Sequence, residues 1–114
     1  MNFSNSMPGL DVTSDATLVA ASIAGDYEAY AQIVSRYQRL LCSLGYSATG
    51  QLSQSEDLAQ ETFIEAWRKL DRLREPERLR AWLCGILRFK IRRHIMERAD
   101  PTDLSNEEKR EWNV

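Results

Sequence analysis

The chain has 114 residues, 43% of them apolar and 28% charged, with a formal net charge of −2. That is enough apolar material for one packed core and too short a chain for two, and no run reaches the ~20 apolar residues of a membrane-spanning helix. The chain does not open with a basic segment followed by an apolar one, as a secretory signal would.

Residues 1–13 carry Ser, Asn, Pro8 and Gly9 with little apolar pattern and are expected to form a disordered tail. A short helix over 16–24 follows, capped by Ser14 or Asp15, with Leu18, Val19 and Ile23 as its apolar positions. Gly25 is placed to end it in a left-handed conformation, and Asp26 to cap the next helix at once. In that second helix Tyr30, Ile33, Val34, Tyr37, Leu40, Leu41 and Leu44 recur at i, i+3, i+4, i+7 over about four turns. The tyrosines suit a binding surface, but a continuous stripe favours core packing. Gly45 reads as the stop, and 45–52 as a turn that sets the neighbouring helices antiparallel. Cys42 and Cys84 each fall within a helical pattern and read as buried thiols ahead of a disulfide. With His94 as the one histidine and no Cys-x-x-Cys, no metal site or cofactor is expected.

The third helix opens at Ser53, whose spacing to Glu56 is that of a capping box, and runs to about Leu70. Ala59, Phe63, Ala66, Trp67 and Leu70 form its apolar stripe. Asp57, Glu61 and Glu65 recur every fourth residue on the other side; Glu65 can pair with Lys69, while Asp57 and Glu61 have no such partner. Spacing alone leaves this acidic face either solvated or in use. Residues 71–77 form a charged connector around Pro76, which suits the first turn of the helix that follows. That fourth helix is expected from about Glu77 to Arg98, with Leu79, Trp82, Leu83, Ile86 and Phe89 as its apolar stripe and Ala81, Gly85, Arg88 and Arg92 on another face. Asp100-Pro101 should break it, leaving 99–114 as an acidic polar tail or the start of a linker.

Charge is segregated along the chain. Residues 1–67 hold two basic and eight acidic side chains, residues 68–98 eleven and four, and residues 99–114 two and five. A basic block inside a near-neutral chain is the footprint of a polyanion partner, or of a helix that solvates itself with arginines. No paired carboxylates flank a nucleophile, no Gly-rich phosphate loop is present, and His94 sits in a basic helix, so an enzyme is not expected.

The run Glu56-Asp57-Leu58-Ala59-Gln60-Glu61-Thr62-Phe63, followed by Ala66-Trp67 and Leu70-Asp71, resembles region 2.2 of sigma-70-type transcription initiation factors, most closely the extracytoplasmic-function group. The Gly25-Asp26 step with Ala29, Tyr37 and Leu41 is similar to regions 1.2 and 2.1, and Leu79-Arg80-Ala81-Trp82-Leu83 resembles the F-R-A-W-L signature that opens regions 2.3 and 2.4. The resemblance implies a compact all-α bundle over 14–98, with three long helices, one short helix and no sheet. It implies a cytoplasmic, non-enzymatic factor that binds core RNA polymerase through the β′ coiled coil and recognises and helps melt the promoter −10 element on the nontemplate strand. Many relatives are also held by an anti-sigma factor. On this chain the implied polymerase-binding residues are Asp57, Gln60, Glu61, Ile64 and Glu65. The implied DNA-binding residues are Arg74, Glu75, Arg78, Arg80, Arg88, Phe89, Lys90, Arg92 and Arg93, while Trp82 and Phe89 match both a base site and the core stripe.

Two departures stand out. A complete factor of this group carries a second domain, region 4, and nothing in 99–114 matches its helix-turn-helix. Where many members have I-A-R-N, this chain has Ile86-Leu87-Arg88-Phe89, so the contact made by that Asn does not carry over. A helical module that binds only protein through 68–98 is the competing expectation.

Overall fold

The structure is a computed structural model that describes residues 13–98. The tail expected over 1–13, apart from Thr13, and the acidic segment 99–114 with its Asp100-Pro101 break lie outside the described residues. Among the described residues the fold is all-α, with four helices, two 3-10 turns and no strand.

Helix α1, Asp15–Ile23, starts where Ser14 Oγ accepts a hydrogen bond from the Thr17 amide at 3.1 Å. Gly25 follows at φ +103°, a conformation that costs glycine nothing sterically. Asp26 Oδ1 then accepts from the amides of Glu28 at 3.0 Å and Ala29 at 3.2 Å, and starts α2, Tyr27–Thr49. Start and stop signals in this half act as their chemistry dictates.

Gly45, expected as a stop, is instead a buried residue inside α2, which continues for another turn. Its lack of a side chain serves packing. A Cβ there would sit 3.1 Å from the Ser55 Cβ and 3.2 Å from its Cα. The helix ends at Gly50, φ +71°, whose amide donates to the Tyr46 carbonyl at 2.8 Å. Helix α3, Leu52–Lys69, therefore begins before Ser53 and the expected capping box does not form. Gln51 is the cap residue and makes no side-chain cap bond; its amide donates to the Thr49 hydroxyl at 3.2 Å.

A 3-10 turn, Leu70–Arg72, closes α3, and a second, Pro76–Arg78, leads into α4, Leu79–Arg98, with Pro76 at the first position as its fixed φ suits. The face of α4 that is buried is Leu79, Leu83, Cys84 and Leu87. Trp82 and Ile86 are half-buried against the core, but Phe89, expected in the stripe, is 56% exposed. The sequence admits two stripes on this helix, one through Leu79, Leu83 and Leu87 and one through Trp82, Ile86 and Phe89. Three leucines with no exposed surface, each worth ~1.5–3 kcal/mol on burial, decide between them.

Cross-helix pairs fix the topology. Gly45 meets Ser55 at one end of the α2–α3 contact, and the Tyr30 hydroxyl donates to the Phe63 carbonyl nearer the other, so the two helices run antiparallel. Helices α3 and α4 are antiparallel too, since Glu65 reaches Lys90 while Gln54 reaches His94. Helix α1 lies across α2, where Asp15 binds Arg36 at 2.8 Å and accepts from the Tyr37 hydroxyl. The core between them is built on Leu18, Val19, Ile33, Leu41, Leu58, Phe63, Leu79, Leu83 and Leu87. Both cysteines are free thiols, Cys84 buried and Cys42 half-buried.

Candidate functional site

Helix α3 presents its outer face to solvent. At ~100° per residue, Asp57, Gln60, Glu61 and Ile64 fall on one arc of the helix. All four are exposed, Ile64 by 47%. Ile64 is thus an exposed apolar side chain beside the acids Asp57 and Glu61. Burial of α3 lies on the opposite side, through Ser55, Leu58, Ala59, Thr62, Phe63 and Ala66. The buried hydroxyls of this set are satisfied locally: Thr62 Oγ1 donates to the Leu58 carbonyl at 2.8 Å and Ser55 Oγ to that of Leu52 at 2.7 Å.

Beside this face runs a groove of about 740 Å³ between α2 and α3, lined by Tyr30, Val34, Cys42, Phe63, Ile64 and Trp67 among others. The Trp67 ring packs against Tyr30 at 4.8 Å and against exposed Tyr27 at 5.4 Å between centroids. Sequence reasoning placed Tyr30, Val34, Phe63 and Trp67 in core stripes. It had no signal that the stripes diverge at the surface and leave a groove. Burial pushes the Cys42 thiol up from its ordinary value, and the Glu56 charge adds to that.

Glu65 stands apart from its predicted companions. It turns toward α4, where Oε1 meets Lys90 Nζ at 2.9 Å, while Oε2 meets Lys69 Nζ at 3.0 Å. Hydrogen bonds from Lys90 and then Lys69 hold its carboxyl down at about 2, against an ordinary 4.5. A predicted polymerase residue and a predicted DNA residue are thus paired with each other.

The remaining basic candidates fall into three groups. Arg74, Glu75 and Arg78 are exposed on the connector, with Arg78 3.6 Å from Glu75. Arg80 lies toward α1 and α2, where its charge lowers the Tyr37 phenol against the stronger raising effects there. Arg88, Phe89, Arg92 and Arg93 are exposed on the far side of α4 from the leucine core, and Arg93 pairs with Glu97 at 3.0 Å. A cleft of about 440 Å³ opens between α3 and α4, lined by Glu65, Lys69, Trp82, Gly85, Ile86 and Phe89. A Cβ on Gly85 would meet nothing within 4 Å. Phe89 is thus an exposed aromatic amid arginines, on the same cleft as the half-buried Trp82.

Among the described residues no cluster of His, Cys, Asp or Glu is placed to hold a metal ion, and no helix is long and apolar enough to cross a membrane. The family described as Sigma-70 region 2 matches residues 33–100. Relatives include the RNA polymerase sigma factor NccH of Alcaligenes xylosoxydans xylosoxydans, 34% identical over 72% of this chain and 44% of its own. The ECF RNA polymerase sigma factor SigW of Bacillus subtilis is 36% identical over 54% of this chain and 33% of its own. The probable RNA polymerase sigma factor RfaY of Xanthomonas campestris pv. campestris is 37% identical over 57% of this chain and 16% of its own. The chain thus spans less than half the length of these relatives. No solved structure matches it. With the matching region extending through α3 and α4, and with the helical fold that frames both faces, the chain belongs to the sigma-70 family as a region 2 domain of the extracytoplasmic-function group.

Proposed function

We propose that this chain acts in the cytoplasm as the part of a sigma factor that binds core RNA polymerase and recognises and helps melt the promoter −10 element. The observation that carries the reading is the separation of two exposed faces: acids around Ile64 on α3, and arginines around Phe89 on α4. Asp57, Gln60, Glu61 and Ile64 dock on the β′ coiled coil, with Glu65 at the edge of that face. Arg88, Arg92 and Arg93 neutralise phosphates of the nontemplate strand, which positions it. Arg74, Glu75 and Arg78 on the connector, with Phe89, meet bases. Arg80 completes the basic set, whereas Lys90, expected beside it, is taken up by its pair with Glu65. The work is strand capture without covalent chemistry, and it needs no cofactor.

Retention of core polymerase on immobilised protein tests the docking face. The double change Glu61→Lys and Ile64→Ala should abolish retention while leaving the helical circular dichroism signal intact. Retention undiminished by both changes would move the docking face elsewhere. An anti-sigma protein is the further partner proposed for this surface, in keeping with the extracytoplasmic-function group.

A further inference from the structure

Most of the predicted basic residues on α4 face solvent, but Lys90 does not do so freely. Its side chain is 18% exposed, that of Glu65 31% and that of Lys69 44%. Both oxygens of one carboxylate are engaged, one by each ammonium. Partial shielding makes such a pair less subject to screening than a surface ion pair. All three residues stand at the cleft between α3 and α4, Glu65 and Lys69 in its lining together with Trp82, Ile86 and Phe89. Arg88 and Arg92, by contrast, make no ion pair among the described residues.

We infer that Glu65 is an internal counterion that withholds Lys69 and Lys90 from nucleic-acid phosphates, and so sets the strength and salt dependence of strand binding without itself touching DNA. The inference rests on the DNA-binding reading above. Two ammoniums and one carboxylate leave a single net positive charge at the cleft, where two would otherwise stand. The carboxylate sits where a phosphate oxygen would sit and satisfies the same donors. An incoming phosphate must therefore displace it, and the charge-assisted bonds it would make replace bonds already made. The hydrogen bonds from the two lysines keep the carboxyl ionised down to about 2, so protonation near neutrality does not release them. Glu65 is a positioning residue: it also ties α3 to α4, and a purely structural tie would change stability without changing the salt slope.

The test is a fluorescence titration of a labelled −10-like single strand with the 114-residue chain across a salt series. Five forms are compared: the unaltered chain, Glu65→Gln, Glu65→Gln with Lys90→Gln, Lys90→Gln alone, and Glu28→Gln. The last makes the same change in net charge at an exposed position on α2. Glu65→Gln should tighten binding several-fold at low salt and steepen the log–log salt slope by ~0.7–1.4, one or two single-strand phosphate contacts. Adding Lys90→Gln should return part of that slope, and Glu28→Gln should leave the slope unchanged. Should Glu65→Gln lose its helical signal, Lys90→Gln alone decides. A withheld lysine makes no phosphate contact, so the slope should stay as it is, and a fall of a full contact would overturn the inference. An unaltered slope in folded Glu65→Gln, beside measurable binding by the unaltered chain, overturns this inference alone. Absence of binding by every form at low salt overturns the DNA reading with it.

Discussion

Gly45 of α2 leaves little room for a side chain against Ser55 of α3: a Cβ on the glycine would stand 3.1 Å from the serine Cβ, and the serine has no exposed surface. Alanine at position 45 would gain up to ~1 kcal/mol of helix propensity and lose part of it to this contact. Valine adds two methyl groups to a gap that is already full, and overpacking of this kind costs ~1–3 kcal/mol. Gly45→Val should therefore lower the urea midpoint clearly while Gly45→Ala changes it little. Equal midpoints for Gly45→Val and the unaltered chain would remove the close approach of α2 and α3.

The two stripes of α4 can be separated by truncation. Leu87 has no exposed surface and Phe89 is 56% exposed. Leu87→Ala should cost ~2–5 kcal/mol, and Phe89→Ala should stay within ~0.5 kcal/mol, both read from urea unfolding. The reverse order would put the helix in the other register.

Stability should fall at both ends of the pH scale for named reasons. Burial raises the Tyr30 phenol to about 12 from 10.0, and burial followed by the hydrogen bond to Asp15 and its charge raises Tyr37 to about 12 as well. The folded state thus holds these protons more tightly, and its advantage is complete below pH 10 and lost as pH rises through 12. Glu65 works in the opposite sense. Its carboxyl is lowered to about 2 from 4.5, so its contribution is present above pH 4.5 and lost as pH falls toward 2. Urea midpoints across pH should show Tyr30→Phe and Tyr37→Phe each shrinking the alkaline loss, and Glu65→Gln shrinking the acid loss.

Much of this was legible in the sequence because local chemistry settles it. Ser14, Gly25 and Asp26 start and stop helices as their side chains dictate, and the stripe of α2 is long enough to leave one reading. Gly45 was not legible, since a glycine that ends a helix and one that lets two helices touch look alike until the partner is known. The same holds for Ser53 and Glu56, whose spacing fits a cap that Gln51 occupies instead. On α4 two stripes share one helix, and only the neighbours choose the leucines. The candidate faces were legible as residue types, but the pairing of Glu65 with Lys90 was not. It joins positions 25 apart, which no helical period connects.

In the proposed function α4 offers an arginine face for single-stranded promoter DNA, apart from the acidic face of α3. Titration of a labelled −10-like single strand at two salt concentrations reads this face. The unaltered chain should bind the single strand in preference to its duplex and lose affinity as salt rises. Replacing Arg88 and Arg92 together by Ala should flatten the log–log salt slope by ~1.4, two single-strand contacts. Glu61→Lys with Ile64→Ala should leave the single-strand preference in place. Failure to bind the single strand at low salt, with core polymerase also lost from the immobilised protein, would contradict the account and leave a helical module that binds protein alone.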